Sequence, residues 1–231
     1  ILVLIQVGGL GVITVAASFA LLSGRKITLM QRSTIQEAIS APKVGGIVRL
    51  TFFVLKATFL LELTGALVMM PTFIHDFGAR GIWMSFFHSI SAFCNAGFDV
   101  MGAEGAKYVS LTSYAANPVI NITVMALIII GGIGFLTWED IVTNKYHFKK
   151  YRMQSKVILV TTSLLIFLPA MFYFFVDFAG KAMNERVFSA LFQAVTPRTA
   201  GFNTADLTRM TGAGRAIMIA LMLIGGSPGS T

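Results

Sequence analysis

Two polar segments interrupt apolar sequence and repeat the same tripeptide, Ala-Gly-Phe. Residues 94–100 read CNAGFDV, and residues 198–204 read RTAGFNT. Both are preceded by a phenylalanine, a polar, a small, a β-branched and a hydroxyl residue in that order, with one residue fewer before the second tripeptide. A chance match of three residues would not extend over this lead-in, so the pattern indicates an internal repeat.

The residue types in these segments, here called the first and second notch, suit the binding of a dehydrated monovalent cation. Backbone carbonyls that point to one side can replace the hydration shell of such an ion. Glycine fits there because it adopts φ values that a Cβ disfavours, and the C-terminal end of a preceding helix adds partial negative charge. A ring of carboxylates, which would favour a divalent cation, is not indicated, because Asp99 in the first notch corresponds to Asn203 in the second.

Long apolar segments surround the notches. Hydrophobic residues make up 55% of the 231 residues and charged residues 12%, and the mean hydropathy is +0.77. This composition lies outside the range of soluble domains. A helix that spans a bilayer needs about 20 apolar residues. The candidate spans are residues 1–22, 47–70, 119–138, 157–178 and the segment from residue 213 onward.

The stretches that lead into the notches, IWMSFFHSISAF and ERVFSALFQAV, have a helical pattern but are too short to span the bilayer. Non-helical backbone at membrane depth occurs only where it is buried in protein or lines a watery cavity. A half-helix, an extended return and a full helix together form a pore loop. The sequence therefore predicts an all-α membrane protein built from tandem helix–pore-loop–helix repeats of the potassium-channel type.

The distribution of basic residues predicts the orientation in the membrane. The formal net charge is +8, and ten of the Lys and Arg residues fall in residues 24–50 and 143–156, against seven in the longer segments 72–116 and 178–215. By the positive-inside rule the first two segments are cytoplasmic and both notches are external. Membrane topology explains the positive charge, so we expect no nucleic-acid partner.

Glycine motifs further divide the chain. GGLG, GGIG and GGSPG begin at residues 8, 131 and 225, each within an apolar segment or at its end. The sequence opens without Met and stops within the last motif, so we expect it to be the interior of a longer polypeptide. The predicted organisation is the inner helix of an incomplete first repeat at 1–23, an amphipathic cytoplasmic connector at 24–45, a second repeat at 46–142, a basic cytoplasmic loop at 143–156, and a third repeat at 157–231 that is truncated within its inner helix.

The segments FHSISAFCNAGFD, FQAVTPRTAGFNT and LIGGSPGST resemble the Ktr/Trk/HKT superfamily of potassium transporters, most closely its KtrB membrane subunits. The resemblance covers essentially the whole chain and implies four repeats around a pseudo-four-fold pore, with the first and fourth filter loops absent here. It implies a cell-membrane subunit for K⁺ uptake, with Na⁺ coupling in some relatives, and neither enzymatic activity nor a cofactor. The implied partners are the lipid bilayer, a second copy in a homodimer, and a cytoplasmic nucleotide-binding regulatory ring of the KtrA/TrkA type.

The resemblance also implies the site residues, with one filter glycine per repeat and K⁺ held by backbone carbonyls. The implied filter residues are Asn95, Ala96, Gly97, Phe98, Thr199, Ala200, Gly201 and Phe202. The implied gating loop is Gly225, Gly226, Ser227, Pro228, Gly229, Ser230 and Thr231. Arg198 adjoins the second notch, and we interpret it as a buried strut that donates hydrogen bonds to carbonyls behind the filter, the alternative being a surface cation at the outer rim.

Two other functions stay open on the residues alone. GGSPG matches the Gly-x-Ser-x-Gly pattern of serine hydrolases, which makes Ser227 a candidate nucleophile of an intramembrane hydrolase, although an apolar helix rather than a strand precedes it. A non-conducting membrane scaffold would have the same composition. The sequence also leaves open the choice between K⁺ and Na⁺.

Several single residues have two interpretations. His88 and Cys94 could form a Cys–His pair, but packing of the filter loop is the favoured role, and Gly8 and Gly131 are expected to allow close helix packing. Gly97 and Gly201 could be ordinary turn glycines, an interpretation that the duplicated context disfavours. Lys56 and Glu62 lie in a candidate span, where ionisable groups are functional by default, and their spacing of six residues places them on different helix faces.

Overall fold

A computed structural model describes residues 1–11, 47–102 and 109–230, together with the isolated positions Ser33 and Gln36. Within these ranges the chain forms α-helices, short helical turns and loops, and no strand. The all-α fold class is therefore confirmed. The predicted connector at 24–45 lies outside the described residues except at those two positions, and so does Thr231 at the end of the predicted gating loop.

The helices of the described ranges follow the order of the predicted repeats. They are α1 (Leu2–Leu10), α2 (Ile47–Phe77), α3 (Arg80–Phe93), α4 (Pro118–Gly132), α5 (Phe135–Asn144), α6 (Met153–Phe172), α7 (Met183–Val195) and α8 (Gly212–Ile224). A π-helical turn, Tyr173–Asp177, continues α6, and short 3-10 turns lie at Thr112–Tyr114, Phe148–Lys150 and Leu207–Arg209.

Two of these helices are long and apolar enough to cross a membrane. They are α2, over Val48–Phe77, and α6 with its π-turn, over Met153–Asp177. Both are longer than the predicted spans at 47–70 and 157–178. Large apolar side chains cover their outer faces, for example Phe59 at 61% exposed and Phe167 at 62% exposed. Such a surface suits contact with lipid tails, since exposed apolar patches of this extent are rare on soluble monomers.

The span predicted at 119–138 is not one straight helix. α4 begins at a capped end, where the Asn117 side chain accepts a hydrogen bond from the Ile120 N–H and Pro118 occupies the first helical position. The chain then breaks after Gly132 and turns by 100° into α5. The break occurs because Gly134 has a φ of 86°, a left-handed conformation that no α-helix contains.

The last predicted span, from residue 213 onward, is also interrupted. α8 has 13 residues, which corresponds to a length of about 20 Å, less than the roughly 30 Å of a bilayer core. The helix ends because Gly225 has a φ of 64°, and Pro228 follows. Of the first predicted span, at 1–22, the structure describes α1 and Gly11.

The two helices that lead into the notches, α3 and α7, each pack against one long helix and against α4. α3 packs against α2, and α7 packs against α6, while α4 contacts α2, α3 and α7. The largest fully buried side chains include Phe73, Phe93, Phe192 and Phe202. The two notches that follow α3 and α7 lie against each other, since Gly97 is next to Ala200 and Gly201.

Candidate functional site

Each notch begins where a buried short helix ends. α3 has 14 residues and α7 has 13, so each is about 20 Å long and could reach only partway through a bilayer. The last turns are buried, including Ser91 in α3 and Val195 in α7. The carbonyls of these last turns carry the partial negative charge of the helix C-terminal ends toward the notches.

Equivalent hydrogen bonds close the two notches. The Ser91 hydroxyl donates to the Phe98 carbonyl at 2.7 Å, and the Thr196 hydroxyl donates to the Phe202 carbonyl at 2.6 Å. The Ala96 N–H bonds the Ser91 carbonyl at 2.9 Å. In the second notch, the N–H groups of residues 200 and 201 both bond the Thr196 carbonyl. The repeat recognised in the sequence is thus also a repeat of backbone geometry, despite the missing residue.

The backbone of the notches alternates in sign of φ. In the first notch Asn95 has a φ of 50° and Gly97 of 69°, and in the second Thr199 has a φ of 84° and Gly201 of 88°. The alanines between them are not in the positive-φ region. A positive φ at the β-branched Thr199 is a strained conformation, and such strain concentrates at functional sites.

The structure brings the two notches into contact. A Cβ added to Gly97 would lie 2.1 Å from the Ala200 carbonyl oxygen and 3.2 Å from the Gly201 Cα. Position 97 therefore excludes any larger residue. Gly201 has more space, since a Cβ there would meet only the Gly97 Cα, at 3.8 Å. The predicted filter residues of the second and third repeats are thus direct neighbours.

The two phenylalanines of the repeated tripeptide have different environments. Phe202 is fully buried, with its ring centroid 6.3 Å from that of His88 in α3. Phe98, the equivalent residue of the first notch, is 57% exposed. Phe98 borders an open apolar groove whose other wall is α1, with Ile1, Leu4 and Ile5.

The loop between the first notch and α4 binds the backbone at the end of the second notch. The Asn203 carbonyl accepts from the Leu111 N–H at 2.9 Å, and the Asn203 N–H donates to the Ser110 hydroxyl at 3.0 Å. Tyr114 attaches this loop to the end of α2, since its hydroxyl donates to the Asp76 carboxylate at 2.6 Å. Burial raises the pKa of Tyr114, so the hydroxyl keeps the proton that this bond requires.

Arg198 connects the second notch to the end of α8. Its Nε donates a hydrogen bond to the Gly225 carbonyl at 3.2 Å, and the side chain is partly buried. We predicted a strut that binds carbonyls behind the filter. The carbonyl contacted here belongs instead to the first residue of the predicted gating loop.

The predicted gating loop fills the break between α4 and α5. The Ser227 N–H and hydroxyl both donate to the Gly132 carbonyl, at 3.1 and 2.7 Å, and the Phe135 N–H donates to the Gly229 carbonyl at 3.0 Å. A break in a helix leaves carbonyl and N–H groups without intrahelical hydrogen-bond partners. Here the loop provides those partners, Ser227 for the Gly132 carbonyl and Gly229 for the Phe135 N–H. A Cβ added to Gly134 would lie 3.0 Å from the Pro228 carbonyl oxygen, so the loop is tightly apposed to the break.

Comparison with known proteins identifies the family. The family model described as "TrkH: Cation transport protein" matches residues 2–182 and 153–231. The chain belongs to the TrkH family of cation transport proteins. It is 37% identical over 238 residues to the potassium/sodium uptake protein NtpJ of Enterococcus hirae, an alignment that covers 100% of this chain and 51% of that protein.

Two further TrkH-family relatives are potassium uptake proteins by name. The chain is 34% identical to the Ktr system potassium uptake protein B of Bacillus subtilis, over 99% of the chain and 51% of that protein. It is 30% identical to the Ktr system potassium uptake protein B of Vibrio alginolyticus, over 99% of the chain and 50% of that protein. The chain thus spans about half the length of the curated relatives it matches.

TrkH-family membership weighs against the hydrolase interpretation, because the relatives named above are transporters. The geometry agrees: the Ser227 hydroxyl donates to the Gly132 carbonyl, and the helix α8, not a strand, precedes the motif. A nucleophile elbow needs a strand before the serine and a histidine as base. Ser227 connects the loop to the broken helix instead.

The suggested Cys–His pair does not form. His88 is fully buried, and its Nδ1 lies 2.7 Å from the Met84 carbonyl while its ring stacks on Phe73 at a centroid distance of 5.3 Å. The Cys94 thiol donates to the Glu62 carboxylate at a sulfur–oxygen distance of 3.8 Å. Both residues pack around the notches.

The close-packing glycine of the first glycine motif is Gly9 and not Gly8 as predicted. A Cβ added to Gly9 would lie 2.5 Å from the Cys94 sulfur, whereas at Gly8 it would meet no described atom within 4 Å. Helical periodicity in an isolated segment does not reveal which of two adjacent glycines faces the neighbouring helix. Only the placement of α3 decides this.

The sequence interpretation missed two kinds of functional residue. Gln6 was not considered, although an amide within an apolar helix is a signal of a buried hydrogen bond, and it donates to Glu62 at 2.9 Å. The closing role of Ser91 and Thr196 was also missed. The shared hydroxyl in the lead-in to both notches was the signal for that role.

Proposed function

We propose that the full-length protein conducts K⁺ into the cell through a pore whose filter includes both notches. The observation that carries this proposal is the contact between two loops of the same backbone design, each with a left-handed glycine. Where φ alternates in sign along a loop, successive backbone carbonyls can point toward the same side of that loop. Carbonyls arranged in this way can replace the water around a cation. The filter residues are those named from the resemblance, at positions 95–98 and 199–202.

A dehydrated monovalent cation fits this chemistry best. The first notch contains one carboxylate, Asp99, and the second has Asn203 in the corresponding position. A divalent cation favours several carboxylates. The names of the relatives favour potassium, and one adds sodium. The membrane potential drives inward transport with about 2.3 kcal/mol per charge per 100 mV. Coupling to Na⁺ is part of the proposal to be tested.

Residues 225–231 act as a gating loop in this proposal. The described part of the loop bonds both the second notch, through Arg198, and the break between α4 and α5, through Ser227. A loop with contacts to both elements can report a change in one to the other. Arg198 then supports both the filter and the gating loop.

The proposed protein is a multi-pass subunit of the cell membrane with its notches external and its basic loops cytoplasmic. It works as a homodimer with a cytoplasmic nucleotide-binding regulatory ring, in keeping with the word "system" in the names of two relatives. We propose no cofactor and no nucleic-acid partner. The transported ions are the substrates.

Ion flux of the purified full-length protein in lipid vesicles tests the function. We expect K⁺ uptake that follows the membrane potential, and a dependence on a Na⁺ gradient if transport is coupled. Potassium-dependent growth of a strain without its own uptake systems provides the matching cellular assay. Correctly inserted protein that moves neither ion would favour the non-conducting scaffold.

Cysteine labelling tests the orientation. In a Cys94→Ala background, we expect Phe148→Cys to react with a membrane-impermeant thiol reagent only from the cytoplasmic side, since it lies in the basic loop and is 45% exposed. Gly180→Cys, in the outer segment before α7, is the matched control and should react from outside. External reaction at position 148 would reverse the proposed topology.

A further inference from the structure

Glu62 is a buried carboxylic acid in the middle of a membrane-spanning helix. It is 4% exposed, whereas Lys56 on the same helix is exposed, so the two residues do face different sides, as their spacing predicted. A carboxyl group buried without partners is strongly unfavourable. Within a membrane span, an ionisable group with defined partners marks a functional site.

The partners of Glu62 come from two other helices. Its Oε1 accepts from the Gln6 side-chain amide of α1 at 2.9 Å and from the Cys94 thiol at 3.8 Å. Its backbone carbonyl accepts from the Ser89 hydroxyl of α3 at 2.6 Å. Glu62 therefore joins α1, α2 and the end of α3 at the point where the first notch begins.

Close packing leaves these side chains little freedom. A Cβ added to Gly9 would lie 2.5 Å from the Cys94 sulfur, and one added to Gly65 would lie 2.6 Å from the Ser89 Oγ. The two glycines thus let α1 and α2 approach the end of α3. Cys94 is therefore held between α1 and Glu62 directly before the notch.

We propose that Glu62 is a positioning residue for the ion filter, acting through Cys94 on the first notch. Cys94 immediately precedes Asn95, whose φ of 50° is a left-handed conformation that few residues besides glycine and asparagine adopt, and it stands three residues before Gly97. A strained backbone persists only where its surroundings hold it in place. The inference rests on the proposed filter function.

The test compares side chains that keep or remove the acceptor oxygen in the full-length protein. Glu62→Gln keeps an oxygen for the Gln6 amide and the Cys94 thiol, so we expect its K⁺/Na⁺ uptake ratio to stay within about twofold of wild type. Glu62→Leu removes the acceptor, and we expect the ratio to fall about five- to tenfold at matched membrane levels. Glu185→Leu, which breaks a half-exposed pair with Lys181, is the control and should leave the ratio unchanged.

A double variant separates positioning from general stability. If Glu62 acts through Cys94, then Cys94→Ala should lower the ratio in the wild type and have little further effect in Glu62→Leu, as expected for coupled residues. If Glu62→Leu does not reach the membrane, Cys94→Ala against Cys94→Ser makes the same comparison, because serine retains a donor.

The outcomes are distinguishable from failure of the proposed function. A wild-type protein that transports no K⁺ would overturn the function itself. A wild-type protein that transports K⁺, with an unchanged ratio in Glu62→Leu or Cys94→Ala, would overturn the positioning role alone. An equal loss in Glu62→Gln and Glu62→Leu would show that negative charge, and not the acceptor geometry, is required, and would also overturn it.

Discussion

The two notches have the same backbone closure but different supports. In both, a hydroxyl at the end of the short helix bonds the carbonyl of the phenylalanine, and a left-handed residue stands two positions before a left-handed glycine. The position three residues before the glycine differs, with Cys94 in the first notch and Arg198 in the second. Cys94 donates to the buried Glu62, and Arg198 donates to the Gly225 carbonyl.

This difference shows that the repeat preserves the main chain while its supports have diverged. The first notch is attached to α1 and α2, through Cys94, Glu62 and Gln6. The second is attached to the end of α8 and the loop that follows, and this loop also fills the break between α4 and α5. Loss of support should therefore change selectivity at the first notch and both selectivity and gating at the second.

The largest expected effect comes from replacing a notch glycine with a residue that has a side chain. We expect Gly97→Ser to reduce K⁺ uptake more than tenfold, because its Cβ would overlap the Ala200 carbonyl oxygen at 2.1 Å and a left-handed conformation disfavours any Cβ. Gly201→Ser should have the same kind of effect with a smaller size, since only the backbone conformation opposes it. The assay is ion flux and K⁺-dependent growth at matched membrane expression.

Gly180→Ser is the control for both notch variants, since a Cβ there would meet no described atom within 4 Å and its φ is not in the left-handed range. Normal uptake and an unchanged K⁺/Na⁺ ratio in both notch variants would reduce Ala-Gly-Phe to an ordinary turn. A larger effect at Gly201 than at Gly97 would contradict this prediction, because Gly97 has less space for an added side chain than Gly201.

A smaller effect is expected from the support of the second notch. Arg198→Ala removes the bond to the Gly225 carbonyl, and we expect K⁺ uptake or its K⁺/Na⁺ ratio to change about tenfold, as for a lost hydrogen bond from a charged group. Arg209→Ala is the matched control, because that side chain is 88% exposed beside Asp206. Equal expression and equal flux in the two variants would make Arg198 a plain surface cation.

The smallest effect is expected from the hydroxyl groups that close the notches. Ser91→Ala and Thr196→Val each remove one hydrogen bond to a phenylalanine carbonyl, and we expect a change of about fivefold in the K⁺/Na⁺ ratio for each. Ser163→Ala removes a hydroxyl bond of similar length on the outer face of α6 and should change nothing. If only one of the two variants has an effect, the closures are not equivalent.

Local patterns were sufficient to predict the order of elements. Apolar length predicted α2 and α6, the short amphipathic lead-ins predicted α3 and α7, and the repeated tripeptide predicted both notches. The straight span at 119–138 was wrong because hydropathy does not register a single left-handed residue such as Gly134. The helix from residue 213 ends at Gly225, where the predicted gating loop was expected to interrupt it.

The sequence by itself determined that the chain is a helical membrane protein with a duplicated notch, because composition and period depend only on local residue types. It also placed a glycine at positions 97 and 201 of the notches, where the backbone has a positive φ. The tertiary structure alone decided which groups meet: Gly97 against Ala200, Cys94 against Glu62, and Ser227 against Gly132. These pairs lie 32 to 103 positions apart in the chain, and such distant contacts follow from helix packing, on which neighbouring residue types give no information.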